Sequence, residues 1–367
     1  MACDELESFE EWYLKMLDEA EELYLRLFNL PRKYPERRAV IQKMGLLRKI
    51  LKKKGLIIVR EETFNNLVKL ARERKPYAPH MLYTSLSTTT ISSKLLYHLL
   101  KDPKPFVETC KLFEKESQDT YVKLVKLLAS VSSLLWLALS AFPNYCNIPS
   151  ISLKKHGIED LGYGKYLKLF NVKNKFNIEN VENLMKEIFV CEVYMFKEKG
   201  FVPKDGSVFI DLGAALGETS LWYSLYAQNF TSLAIEASEE ALKVLKWNLN
   251  LASDYLKSKN AEVIPIKKLV KGGKDLKEVL ARAPREHSEV FLKMDIEGHE
   301  REVLKGISDF LREVKPTLGI ASYHRWDDLI EIPRLIVSSN DAYKLHLKPK
   351  VVLLSPPYGF TFNVFAR

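Results

Sequence analysis

The apolar positions follow two different periods along the chain, and Pro143 and Pro149 separate a mainly helical stretch from one in which short apolar runs enter. Ahead of these prolines the step is three or four. Leu6, Phe9, Tyr13, Met16, Ala20, Leu23 and Leu27 would line one side of a helix over residues 4–29, which Pro31 ends. Further helices are expected over 36–54 and 63–72, with a short strand at 56–59 and a Ser/Thr-rich loop over 83–93. Residues 127–142 carry no charge, but this run includes four serines and is shorter than the roughly 20 residues of a bilayer span, so a buried helix is expected. Past the prolines, Val181, Leu184, Ile188, Cys191 and Met195 predict a helix over 178–199 that stops at Gly200. Short apolar runs then alternate with helical stretches. Strands are expected at 208–210, 232–235, 262–266, 290–296 and 317–323, helices from Ser238, over 275–281 and from Asp327, and a closing hairpin from 343–347 with 360–365. Such alternation is the pattern of an α/β domain, here 151–367, preceded by an α-helical domain, 1–150.

The stretch VFIDLGAALGETS, residues 208–220, reads as strand, tight turn and helix. Asp211 would stand at the carboxyl end of the strand, while Gly213 and Gly217 allow turn geometry and close backbone approach. Ligands of open α/β sheets bind at that end, beside the free N–H groups of the following helix. The dinucleotide fingerprint wants G-x-G-x-x-G, whereas this turn is D-x-G-x-x-x-G; an acid followed by the looser turn resembles the S-adenosylmethionine (SAM) site of class I methyltransferases. The second strand ends in Glu236, 25 positions beyond Asp211, near the spacing at which a carboxylate meets a nucleoside ribose. Ser238 caps the helix that follows. Asp211, Gly213, Ala214, Gly217, Thr219, Glu236 and Ala237 are the candidate cofactor-binding residues.

The fourth strand runs into KMDIEGHE. Period-two alternation puts Lys293 and Asp295 on one side, and Glu297 joins them if strand geometry persists. Charges in so apolar a strand are costly to bury unless paired. The fifth strand ends at His324. Other chemistries lack their residues. Val303 stands where H-E-x-x-H needs its second histidine, and no G-x-S-x-G turn supports a serine nucleophile. Ser355-Pro356-Pro357-Tyr358 resembles the base-holding motif of amino-methyltransferases, but that motif should follow the fourth strand, a position DIEG already occupies, and with only nine residues after Tyr358 the segment reads as a hairpin turn.

Composition changes this picture little. With 47% hydrophobic and 28% charged residues the balance is that of an ordinary globular chain. Cys3, Cys110, Cys146 and Cys191 form no C-x-x-C pair, so neither a zinc site nor a disulfide framework is expected, and they read as free thiols of a reducing compartment. The acidic, amphipathic start lacks the order of a secretory signal, which predicts a cytoplasmic protein. A net charge of +9 favours acidic or nucleic-acid partners only weakly, and the basic run Arg48–Lys54 would either complement a helix carboxyl end or bind an anionic ligand.

Together, DLGAALGETS, AIEASEEALKVLKWNL, FLKMDIEGHEREVLKG and SYHRWDDLIEIPRLI resemble, in that order, the FkbM-type SAM-dependent methyltransferases, over about residues 185–367. The resemblance implies a Rossmann-like, seven-stranded class I methyltransferase sheet with an antiparallel last strand, SAM as cofactor, and O-methyl transfer to a hydroxyl of a small metabolite, sugar or glycan. In that setting Asp295, Glu297 and His324 are the candidate catalytic residues. His324 could take the hydroxyl proton with Asp295 orienting it, or the three could hold a divalent metal that acidifies the hydroxyl. Residues 1–150 would select the acceptor or mediate oligomerisation. The alternatives are an RNA or DNA methyltransferase, a non-catalytic SAM-binding adaptor and a nicotinamide enzyme that would prefer NAD over SAM.

Overall fold

The structure is a computed structural model that describes residues 2–15, 91, 94–138, 186–190, 192–352 and 359–367. The chain divides into two compact units, one of Met1–Lys111 with Lys115–Asn144, the other of Leu112–Glu114 with Tyr145–Arg367. The expectations for 36–54, 56–59, 63–72 and 83–93, and for the Ser355–Tyr358 turn, lie outside the described residues.

In the first unit the amino terminus is not one helix from residue 4. A 3-10 turn at Ala2–Leu6 is followed by a turn at Glu7 and Ser8, and helix runs from Phe9 to Lys15. Helices Lys104–Cys110 and Lys115–Ala138 follow later in the chain. Leu6, Phe9, Tyr13, Phe106, Tyr121 and Val125 are buried. A disulfide joins Cys3 to Cys110, which corrects the expectation of free thiols at these two positions. The partners are separated by 107 positions, so no local spacing announces them. No described helix is long and apolar enough to cross a membrane.

The second unit carries a seven-stranded sheet: β1 Val208–Leu212, β2 Thr231–Glu236, β3 Glu262–Lys267, β4 Val290–Met294, β5 Thr317–Ala321, β6 Leu345–Val352 and β7 Gly359–Ala366. Their order is β3-β2-β1-β4-β5-β7-β6, with β7 antiparallel to both neighbours. Helices α1 Glu218–Tyr226, α2 Glu239–Leu251, α3 Gly273–Leu280, α4 Glu300–Gly306, α5 Ser308–Val314 and α6 Asp328–Ser339 connect the strands. All five residues of β1 and of β4 are buried, which is why these strands read as apolar runs broken only by Asp211 and Lys293. Phe209 stacks on Tyr223 of α1 at 4.3 Å, and Phe230 and Phe291 close round the same ring. Ser238 caps α2 by accepting from Ala241 N–H at 3.3 Å.

Two departures from the expected elements shape the site. The helix expected over 178–199 is not continuous. A π-helical turn at Lys186–Val190 gives way at Glu192, whose φ of 49° is left-handed, and residues 193–196 form a loop held to the sheet. Strands β4 and β5 also stop short of their expected ends, at Met294 and Ala321, because the chain turns at Glu297 and Gly298, with φ of 56° and 94°, and beyond Ser322.

Closing a loop of this length by a disulfide stabilises by about 4–5 kcal/mol on chain entropy, the upper end of the usual range. Under non-oxidising conditions the first unit should therefore melt earlier. Thermal denaturation of the Cys3→Ser variant should match that of the reduced wild type, with no further response to dithiothreitol. A melting curve insensitive to both would remove the disulfide from the stability of this unit.

Candidate active site

Adjacent parallel strands place Asp211 of β1 opposite Lys293 of β4, at the carboxyl ends of the sheet. Both are almost wholly buried, and Lys293 Nζ lies 2.9 Å from Asp211 Oδ1. The ammonium also donates to Gly213 O at 2.6 Å and sits 5.4 Å from the centre of the Tyr194 ring. Burial opposes the lysine's charge, but Asp211 and Asp295 outweigh it and hold its pKa above the usual lysine range. Ser220 of α1 completes the set by donating to Asp211 Oδ2 at 2.8 Å. The functional carboxylate expected at the end of β1 is thus a partner in a buried ion pair that fixes the start of the turn.

The turn wraps against β2 and β4. Gly213 and Ala214 donate to Ile235 O at 3.1 and 3.0 Å, and Ala215 donates to Glu236 Oε2 at 3.0 Å. The other oxygen of Glu236 accepts from Ser238 N–H at 2.7 Å, so this carboxylate bridges the turn to the start of α2. Gly213 has φ of 82°, and a Cβ there would lie 1.8 Å from the backbone oxygen of Asp295. Gly217 has φ of 85°, but its added Cβ would meet only Leu245 Cγ, at 3.4 Å. The first glycine is required by a crossing of two backbones, a reason distinct from approach of a cofactor. Thr219 is buried in the first turn of α1, and its hydroxyl has no hydrogen-bond partner among the described residues. Ala237 is exposed just past β2. Glu218, unremarked in the sequence, folds back to accept from Leu216 N–H at 3.0 Å, and burial pushes its carboxyl up to about 7.

Asp295, Glu297 and His324 converge from the ends of β4 and β5. His324 Nε2 lies 3.4 Å from Asp295 Oδ1 and 3.7 Å from Glu297 Oε2. The opposite nitrogen, Nδ1, lies 3.1 Å from Glu300 Oε1. Glu300, at the start of α4, is fully buried and also accepts from Ile296 N–H at 2.8 Å. Burial works against a charged imidazole, but the hydrogen bond with Glu300 and the charges of Asp295, Glu300 and Glu297 prevail and push His324 up to about 9. Histidine at its ordinary value near 6.5 is therefore not what this cluster holds. Asp295 is kept below the usual carboxylate range: its burial is outweighed by Lys293, by His324 and by hydrogen bonds from Tyr194 and Tyr323. Glu187, on the π-helical turn, faces the same cluster; burial and the charge of Asp295 push it up to about 8. Glu297 does not stay in strand register, since its left-handed φ turns its side chain out to 92% exposure.

A sheet of this order, with a glycine turn after its first strand, an acid after its second and charged side chains after its fourth and fifth, is the architecture of class I methyltransferases. The chain belongs to the FkbM methyltransferase family, whose domain matches residues 137–343. Similar solved structures include the methyltransferase FkbM from Methylobacillus flagellatus KT, with 17% identity and a TM-score of 0.41 over 72% of this chain and 59% of that one. The O-methyltransferase from Bacillus cereus in complex with SAH has 11% identity and a TM-score of 0.32, over 60% and 94% of the two chains. Fibrillarin from Aeropyrum pernix with bound S-adenosyl-L-methionine has 14% identity and a TM-score of 0.30, over 45% and 68%. No curated protein matches the chain in sequence.

The backbone crossing separates two glycines of similar φ. Gly213→Ala should lower stability in urea by about 3 kcal/mol or more, since backbone must move, whereas Gly217→Ala should cost about 1–2 kcal/mol for the left-handed conformation alone. Equal unfolding midpoints for the two variants would contradict the crossing as the constraint.

Proposed function

We propose that this chain transfers the methyl group of SAM to a hydroxyl oxygen of a small metabolite, sugar or glycan. The observation that carries this reading is the cluster of Asp295, Glu297 and His324, lying at the strand ends beyond the glycine turn of an FkbM methyltransferase domain. SAM lies across the turn at 211–219, with its ribose hydroxyls on the lone pairs that Glu236 keeps after bridging Ala215 and Ser238. Thr219 offers a buried hydroxyl there that is not consumed by the fold.

Attack of the acceptor oxygen on the sulfonium methyl requires loss of the hydroxyl proton. The facing atoms of Asp295, Glu297 and His324 lie within 4.8 Å of one another, a set of two carboxylates and one imidazole that fits a divalent metal. Glu300 Oε1 lies 3.1 Å from Nδ1, and Nε2 on the other side of the ring is the nitrogen that faces the carboxylates of Asp295 and Glu297. When bound, such an ion would acidify the acceptor hydroxyl. Asp295 and His324 then orient the acceptor, and the buried Lys293 keeps Asp295 ionised. The alternative within this reading, direct proton removal by His324, requires its ring to be neutral at the working pH.

Residues 1–150 we assign to acceptor selection or oligomerisation. A cytoplasmic location is compatible with the Cys3–Cys110 disulfide in a cell whose cytoplasm tolerates protein disulfides, as in hyperthermophiles.

Labelled SAM offered with hydroxylated metabolites, glycans, lipids and RNA tests the reaction, and label reaching only nitrogen or nucleic acid would overturn the acceptor class. Glu236→Ala should weaken SAM roughly 10- to 150-fold in calorimetric titration, for hydrogen bonds of about 1.5–3 kcal/mol. With a turned-over acceptor, His324→Ala should slow turnover by roughly 10²-fold while SAM binding is kept. Loss of activity on chelation, restored by one ion, selects the metal; indifference to chelator selects the base.

A further inference from the structure

Asp295 receives two phenols on one oxygen. Tyr194 donates to Oδ2 at 2.5 Å and Tyr323 donates to the same atom at 3.0 Å, leaving Oδ1 as the oxygen that faces His324. We propose that Tyr194 and Tyr323 are positioning residues that hold Asp295 in this one orientation, so that a single oxygen is presented to the reacting centre. The assignment rests on the reading of this cluster as the methyl-transfer site.

The carboxyl-terminal hairpin supports both phenols. Asn363 of β7, itself buried, donates from Nδ2 to Val193 O at 2.8 Å, and Lys348 of β6 donates to Glu192 O at 3.0 Å and to Met195 O. The loop that carries Tyr194 is thus tied at the carbonyls on both sides of it. Phe362 of β7 packs edge-on against Tyr323 with ring centres 6.0 Å apart. Tyr194 also places its ring face under Lys293, joining the buried ion pair to the orientation of Asp295. A carboxylate with one free oxygen takes up a metal or an acceptor hydroxyl in one geometry, whereas an untethered one rotates. Partners behind ligating groups contribute roughly 10- to 100-fold to metal affinity.

The test uses the full chain with Mn²⁺ as the probe ion, read by electron paramagnetic resonance, and SAM binding read in parallel by calorimetry. Tyr194→Phe and Tyr323→Phe keep the rings and remove only the hydroxyls. Each should weaken Mn²⁺ about tenfold or more, the double variant further, with SAM affinity within about twofold of wild type. Tyr223→Phe, which removes a buried phenol that bonds Ser207 away from the cluster, should leave Mn²⁺ unchanged. Unchanged Mn²⁺ affinity in both site variants overturns the proposal. If the wild type binds SAM but no Mn²⁺, the metal fails while positioning is still read, on the imidazole nitrogen resonances of His324, assigned through His324→Ala. A shift in both phenylalanine variants but not in Tyr223→Phe supports the proposal, and invariant resonances overturn it. Failure of SAM to bind the wild type is the separate failure of the functional reading.

Discussion

The Asp211–Lys293 ion pair is the interaction on which the functional end of the sheet depends. An ammonium with almost no access to water must have its charge answered nearby, and here the carboxylate of the adjacent strand and the carbonyl of Gly213 both answer it. One contact locks β1 to β4 and the other fixes where the glycine turn leaves β1. Removing either charge alone would strand the other in the core, at a cost of about 3–5 kcal/mol. The field of the same lysine reaches Asp295, two residues along, and keeps it ionised despite its burial.

From this anchor the site extends in two directions. Toward β2 the turn is bound by backbone donors to Ile235 and by Glu236, so the fold's own hydrogen bonds shape the surface proposed for the nucleoside. Toward β5 the carboxylates and imidazole gather round the gap between Asp295 and His324, with Glu300 beneath and two phenols at the side. Gly213 belongs to both halves, because its missing side chain lets the Asp295 carbonyl pass.

Much of this was legible in the residues. The strands of the sheet announced themselves because parallel strands covered on both faces are apolar at nearly every position, and the D-x-G-x-x-x-G turn and Glu236 fell where the crossover connections put them. Asp295, Glu297 and His324 were visible as charges at the ends of apolar runs. Tyr194 was not, because helical periodicity over 178–199 conceals the left-handed break at Glu192 that sends it into the site. Tyr323 and His324, as consecutive residues of a strand, would point to opposite faces; they reach the same carboxylate only because β5 ends at Ala321. Glu300 read as a helix-start acid, and only the fold puts it behind His324. The Cys3–Cys110 pair has no local signature at all.

The most direct measurement is an experimental structure of the full chain with S-adenosylhomocysteine and Mn²⁺. The adenosyl group should lie over residues 213–217 with its ribose on Glu236, its sulfur should point toward Asp295, and the ion should touch Asp295 Oδ1 and His324 Nε2. A nucleoside bound elsewhere on the chain, or an occupied cofactor site whose sulfur points away from Asp295 and His324, would contradict the account.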